Sequence, residues 1–190
     1  EDITELGPQD RVRRGLARTF QINTLFAGLN ALEAVTLAVL ERRGLSGQFW
    51  RGLGSHGEAI DEAYEILRKL RLGDSCYQVT RELPYGRQRL LEIARAFVGK
   101  PKLILADEPA AGLNGMEAGQ LVGLIRRIQA TGVTVMLVEH HMEVVMRACD
   151  RITVLNYGKK LADGGPADIR DHSGVIEAYL GTKTTYRRTK

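Results

Sequence analysis

The 190-residue sequence predicts a mainly helical unit joined to an α/β core. Three observations carry that reading. Residues 58–72 and the stretch after Gly86 repeat apolar side chains at helical spacing. Leu103-Ile104-Leu105-Ala106 and Val133-Thr134-Val135-Met136-Leu137-Val138 are short continuous apolar runs, the mark of strands buried on both faces. One helical segment separates the two runs, and a right-handed crossover then makes them parallel.

In chain order, the first 20 residues are polar and basic, with Arg11, Arg13, Arg14 and Arg18. Residues 29–43 are apolar-rich and read as helix. Residues 44–57 hold five glycines with Ser46 and Ser55, and read as a loop. Ile60, Ala63, Tyr64 and Leu67 then mark one helix face, and Gly73 is expected to end that helix. Leu90, Ile93, Ala94 and Phe97 mark the next helix, so residues 29–100 form the helical unit. The character changes at Pro101. Beyond the first apolar run, Leu121, Leu124, Ile125 and Ile128 give a buried helix face that Gly132 stops. A short helix is expected over 142–148, and strands over 151–155 and 159–163 around the turn Asn156-Tyr157-Gly158. The last helix is expected over 173–180, with Ser173 as its N-cap and Gly181 just past its end. The expected division is therefore 1–28 as the end of an N-terminal core segment, 29–100 as the helical unit, 101–181 as the α/β part, and 182–190 as a flexible basic tail.

Composition narrows the function classes. At 44% hydrophobic residues the chain builds a real core and is not a disordered protein. The net charge of +4 is a small excess and gives no case for a nucleic-acid partner. Cys76 and Cys149 form no CxxC pair and give no metal signal. No stretch approaches the ~20 apolar residues of a membrane span, so any membrane role is expected to come through a partner.

The chemistry concentrates at three places. Asp107 and Glu108 end the first apolar run, where folding alone explains them poorly, because buried unpaired carboxylates are costly. Ligands of open α/β sheets bind outside the carboxyl ends of the strands. An Asp there holds Mg²⁺ directly or through water, and a neighbouring Glu orients or deprotonates a water; a helix-capping acid pair is the alternative. The second run ends at Glu139-His140-His141, which puts His140 on the same sheet edge as Glu108, ready to donate a hydrogen bond to a phosphate oxygen. His141 reads as a surface residue opening the next helix. Third, Leu83-Pro84-Tyr85-Gly86-Arg87-Gln88-Arg89 feeds a helix through a glycine turn, which offers backbone N–H groups and a positive dipole end to an anion.

Taken together, these segments resemble the ATP-binding subunit of ABC transporters. Leu83 to Arg89 resembles the signature loop. Leu103-Ile104-Leu105-Ala106-Asp107-Glu108 resembles the Walker B strand with its catalytic glutamate, and Ala110-Ala111-Gly112-Leu113-Asn114 the D-loop. His140 falls at the switch histidine, and Gln21, in Ala17-Arg18-Thr19-Phe20-Gln21, at the Q-loop glutamine. The wording Tyr85-Gly86-Arg87-Gln88-Arg89 with Glu92-Ile93-Ala94-Arg95, and the end Val175-Ile176-Glu177-Ala178-Tyr179-Leu180-Gly181, is most similar to the branched-chain amino acid importer branch.

The resemblance implies a P-loop NTPase (RecA-like) core with an inserted helical subdomain, and ATP and Mg²⁺ as cofactors. It implies paired ATPase subunits, as a homo- or heterodimer, that sandwich ATP head to tail. Glu108 would activate the water, His140 would steady the γ-phosphate, and Asp107 and Gln21 would serve Mg²⁺. Tyr85, Gly86, Arg87 and Gln88 would cover nucleotide held by the partner, and Gly112, Leu113 and Asn114 would lie across the dimer seam. Transmembrane permease subunits, and through them a periplasmic binding protein, are the further implied partners. The implied place is peripheral, on the cytoplasmic face of the inner membrane.

Two features depart from that pattern. A phosphate-binding loop reads G-x-x-x-x-G-K-[ST], but Gly99-Lys100 is followed by Pro101 and Gly158-Lys159 by Lys160. The core is therefore expected to lack its N-terminal strands and Walker A loop, and the chain alone to bind little nucleotide. Pro84 stands where the signature loop usually has Ser, and proline supplies neither a hydroxyl nor an N–H. The competing readings are a nucleotide-incompetent fragment or interaction module of the same family, and an ABC ATPase for lipopolysaccharide export.

Overall fold

The computed structural model describes residues 2–19, 28–45 and 52–180, and the chain divides into two units, 1–140 and 141–190. The first unit begins with α1 (Pro8–Arg13), β1 (Leu16–Arg18), α2 (Ala31–Arg42), α3 (Gly57–Lys69) and α4 (Tyr85–Val98). It continues with β2 (Leu103–Asp107), α5 (Gly115–Gln129) and β3 (Thr134–Val138). The strands lie in the order β1-β2-β3, all parallel, with Leu16 opposite Leu103 and Asp107 opposite Val138. The β2–α5–β3 crossover expected from the two apolar runs is present. Strand β1 was not expected. It is set by Gly15, whose φ of +97° turns the chain and whose carbonyl accepts the N–H groups of Lys102 and Leu103 at 2.8 and 3.1 Å.

The helices of this unit are fixed locally before they pack. Asn30 caps α2: its side chain accepts the Glu33 N–H at 2.9 Å, and the Glu33 carboxylate accepts the Asn30 N–H at 2.8 Å. Helices α2, α3 and α4 then bury Val35, Val39, Ala63, Leu67, Leu91 and Ala94. Arg42 and Arg43 meet Glu62 at 2.6 and 2.8 Å. Burial pushes the Glu62 carboxyl up, but its bonds to Arg43 and Arg42 outweigh that and hold it below the usual carboxylate range.

Three expectations need correction here. Helix α3 ends before Gly73: Arg71 takes the left-handed conformation (φ 61°), and the Leu72 N–H closes back onto the Leu67 carbonyl at 2.8 Å. Burial of both Leu70 and Leu72 turns the chain at that point. Helix α4 starts at Tyr85 with Pro84 as its N-cap, so Gly86 lies inside the first turn rather than before it. The apolar strands are not buried on both faces. Ile104 and Ala106 are buried, whereas Leu103 and Leu105 are only partly so, and Met136 and Val138 on β3 are each 56% exposed. Among the described residues of this unit, α1, α4 and α5 contact the sheet, and the face that carries Leu103, Leu105, Met136 and Val138 is the more exposed one.

The second unit contains α6 (Met142–Ala148), β4 (Ile152–Asn156), β5 (Lys159–Gly164), α7 (Pro166–Arg170) and α8 (Ser173–Leu180). Val145, Ile152, Val154, Ala162, Ile169 and Val175 form its core. Strands β4 and β5 pair antiparallel. Their two-residue turn needs positive φ at both positions, and Tyr157 (46°) and Gly158 (74°) supply it. Ser173 is not the cap of α8. The helix opens at Ser173 itself, and the His172 Nδ1 accepts the Val175 N–H at 3.3 Å. No described helix is long and apolar enough to cross a membrane. Gln21, Gly181 and the 182–190 tail lie outside the described residues.

Candidate functional site

Strands β2 and β3 end side by side, and each leads into one candidate side chain. The His140 Nδ1 stands 3.5 Å from the Glu108 Oε1, with side chains 67% and 39% exposed. This is the juxtaposition expected from two parallel strands with acids and a histidine at their carboxyl ends. Glu108 itself is left-handed, with φ 45°. That conformation costs a non-glycine residue on the order of 1 kcal/mol or more. It persists because the Glu108 N–H extends the ladder to the Val138 carbonyl at 2.8 Å, while its own carbonyl accepts the Ala111 N–H at 3.1 Å. The backbone is thus bent sharply at the one residue that carries the candidate base. Asp107, the last residue of β2, pairs with Arg18 at 3.5 Å.

A residue that the sequence reading passed over holds this edge together. Glu139 Oε1 accepts the Ala110 N–H at 2.7 Å, and its Oε2 accepts the His140 N–H at 3.1 Å. One carboxylate therefore ties the 110–114 loop to the end of β3. The signal was in the sequence: an acid directly before His140, beyond a strand, where it has no packing role.

The other candidates lie around the start of α4. Gly86 is buried, and a Cβ there would stand 2.6 Å from the Glu117 side chain. Gly112 has φ +77°, and its missing Cβ faces the Tyr85 ring at 3.2 Å. The first turn of α4 therefore meets the 110–114 loop at Gly112 and the first turn of α5 at Glu117. Arg87 and Gln88 are both engaged locally: Arg87 pairs with Asp74 at 2.9 Å, and Gln88 Nε2 donates to the Leu83 carbonyl at 2.9 Å. Leu113 donates its N–H to the Ala110 carbonyl at 3.1 Å.

Asn114 is the N-cap of α5. Its side chain accepts the Glu117 N–H at 3.0 Å, and Glu117 accepts the Asn114 N–H at 3.0 Å. Asn114→Ala is expected to cost about 1 kcal/mol, the usual loss for such a cap. Urea unfolding checks this, and an unchanged midpoint would show that the cap contributes nothing.

The site's fit to nucleotide chemistry follows from its donors. Asp107 and Glu108 offer hard carboxylate oxygens, partly exposed, at a strand end, which suits an ion that takes one or two carboxylates along with phosphate oxygens. Among the described residues no group of three or more His, Cys, Asp or Glu side chains forms an all-protein metal cage.

Comparison with known proteins gives the same direction. Residues 1–111 match the ABC transporter family, and residues 159–184 match the branched-chain amino acid ATP-binding cassette transporter family. The chain is 41% identical to the high-affinity branched-chain amino acid transport ATP-binding protein BraF of Pseudomonas aeruginosa, over 95% of this chain and 73% of that one. It is 39% identical to LivG of Escherichia coli K12, a protein of the same description, with the same coverage. A lipopolysaccharide export ATP-binding protein, LptB of Acidithiobacillus ferridurans, is 33% identical over 95% of this chain and 70% of its own length. Among solved structures, an ATP-binding cassette of an ABC transporter in its ADP conformation superposes with a TM-score of 0.78 at 28% identity, covering 95% of this chain and 74% of the other. With matched family segments at both ends and relatives aligned over nearly its whole length, the chain belongs to the ABC transporter family, as an ATP-binding cassette of the branched-chain amino acid type.

Proposed function

We propose that this chain works within the full-length ATP-hydrolysing subunit of an importer for branched-chain amino acids, with Glu108 and His140 as its catalytic pair. The observation that carries the site is the 3.5 Å approach of His140 to Glu108 at the ends of adjacent parallel strands. The cargo rests on the 41% identity to a branched-chain amino acid transport protein, against 33% to a lipopolysaccharide export protein.

In this reading Glu108 accepts the proton of the attacking water. His140 donates a hydrogen bond to the terminal phosphate, and its approach to Glu108 keeps the carboxylate aimed. Asp107 would hold Mg²⁺, which when bound offsets charge on the phosphate oxygens. Gln21 would share that task, a role carried by the resemblance alone. The first turn of α4, with Tyr85, Gly86, Arg87 and Gln88, covers nucleotide on a second ATPase subunit, and Gly112, Leu113 and Asn114 lie along the seam between the two. Residues 29–100 act as the helical subdomain facing the permease, 1–28 and 101–181 as core, and 182–190 as a basic tail. The assembly works at the cytoplasmic face of the membrane, through a partner that spans it.

The test is reconstitution of the full-length subunit with its permease and binding protein in vesicles. The expected result is ATP-dependent uptake of radiolabelled leucine. Hydrolysis without amino-acid uptake sinks the cargo, and absence of hydrolysis sinks the ATPase itself.

A further inference from the structure

One face of α4 carries a continuous chain of side-chain contacts that the reaction described above does not use. The Tyr85 ring lies against Gly112, 3.2 Å from where a Cβ would stand. Four residues on, the Arg89 Nε donates to the Tyr85 Oη at 2.8 Å, with the guanidinium carbon 5.1 Å from the ring centroid. Three residues further, Arg89 Nη1 meets Glu92 Oε2 at 3.0 Å. The i, i+4 and i, i+3 spacings put all three on one helical stripe. Arg89 and Glu92 are only 11% and 9% exposed, so this ion pair is shielded from water.

Glu92 ends the chain unevenly. Its Oε1 is buried and has no hydrogen-bond partner among the described residues. The same side chain lines a cleft of about 210 Å³ together with Arg18, Thr19, Glu41 and Arg95. Burial pushes the Glu92 carboxyl up, and Arg89 pulls it only part of the way back. Leaving one oxygen of a buried carboxyl unsatisfied costs free energy that packing alone does not explain.

We propose that Tyr85, Arg89 and Glu92 form a positioning strut that holds the 110–114 loop in place from the cleft beside Thr19. None of the three touches reacting atoms in this role. Arg89 fixes the Tyr85 ring, the ring fixes Gly112, and the loop that begins two residues after Glu108 is thereby registered to the far end of the stripe. The proposal rests on the ATPase reading and adds residues to it.

The experiment is a double-mutant cycle on ATP turnover in the assembled transporter. Tyr85→Phe keeps the ring on Gly112 and removes only the oxygen that Arg89 binds; Glu92→Gln keeps the volume and removes the charge. Among the described residues the two are joined through Arg89, so coupling between them reports transmission along the strut. Each single variant is expected to lower kcat about tenfold, with KM for ATP unchanged in Glu92→Gln, the scale of one coupling energy of about 1.4 kcal/mol. The double variant should lose no more than the worse single. Arg89→Lys, which keeps the charge but not the fork that reaches both partners, should lose as much.

Multiplying losses in the double variant, losses confined to KM, or a wild-type kcat in Arg89→Lys would each overturn the strut while leaving the ATPase intact. A full-length parent subunit without ATPase activity would overturn both.

Discussion

Replacing Glu108 by Gln is expected to lower steady-state ATP hydrolysis about a thousandfold, within the range assigned to a general base, while the fold survives. The structure separates the two roles of this residue. Its backbone is held by bonds to Val138 and Ala111 at 2.8 and 3.1 Å, which do not depend on the side chain. The side chain is 39% exposed, so an amide of the same size loses little packing. What disappears is basicity. Gln also offers an N–H₂ where the His140 Nδ1 now meets a carboxylate oxygen at 3.5 Å, so the aim of the group changes along with its charge. Phosphate release in the assembled transporter measures the effect, with thermal melting as the control for folding. A Gln variant within about tenfold of the parent would remove Glu108 from the proton path.

Gly86→Ala is the second change with a large expected effect, and its sign is not obvious from helix propensity. Alanine inside α4 should gain up to about 1 kcal/mol over glycine. Here the new Cβ would stand 2.6 Å from two atoms of the Glu117 side chain and 2.8 Å from a third. Overpacking of that kind costs about 1–3 kcal/mol. Moving Glu117 aside also frees the Asn114 N–H that its carboxylate accepts at 3.0 Å, and a broken cap adds about 1 kcal/mol. The clash therefore wins, and both α4 and α5 loosen at the ends that face each other.

The expected net loss is about 2 kcal/mol of stability, with ATP turnover falling too, because the same turn is proposed to cover nucleotide on the second subunit. Denaturant unfolding of Gly86→Ala, Glu117→Ala and the pair decides the cause. Glu117→Ala alone should cost about the cap. Adding Gly86→Ala to it should then cost nothing further, since the space is open. A Gly86→Ala variant as stable as the parent, or costs that simply add, would show that Glu117 is not the obstacle.

How much was legible in the sequence depended on whether local signals and tertiary packing agreed. The crossover from β2 through α5 to β3 was readable because its apolar runs, its helical period and Gly132 all pointed one way. The meeting of Glu108 and His140 was readable for the same reason: once the strands are parallel, their ends must coincide. Strand β1 was not, because three residues ending in Arg18 carry no pattern of their own and become a strand only beside β2. Helix α7 has five residues, too few for a period. The end of α3 fell at Arg71 because buried Leu72 pulled the chain around, a packing effect that outweighed the glycine two residues on from Arg71. The capping pairs Asn30 with Glu33 and Asn114 with Glu117 were written in the sequence, and their i, i+3 spacing is the signal that would have found them. The more exposed face of the sheet was invisible, since a run of apolar residues reads alike whether one face is covered or two.

That more exposed face has a chemical consequence. Met136 is 56% exposed on the face it shares with Leu103, Leu105 and Val138, and Met116 near the start of α5 is 73% exposed. Oxidation to the sulfoxide would place a polar, chiral group among Leu103, Leu105 and Val138, where the surrounding carbon has nothing to bond it. A segment that covers this face would therefore shield Met136 from oxidants as well as bury it.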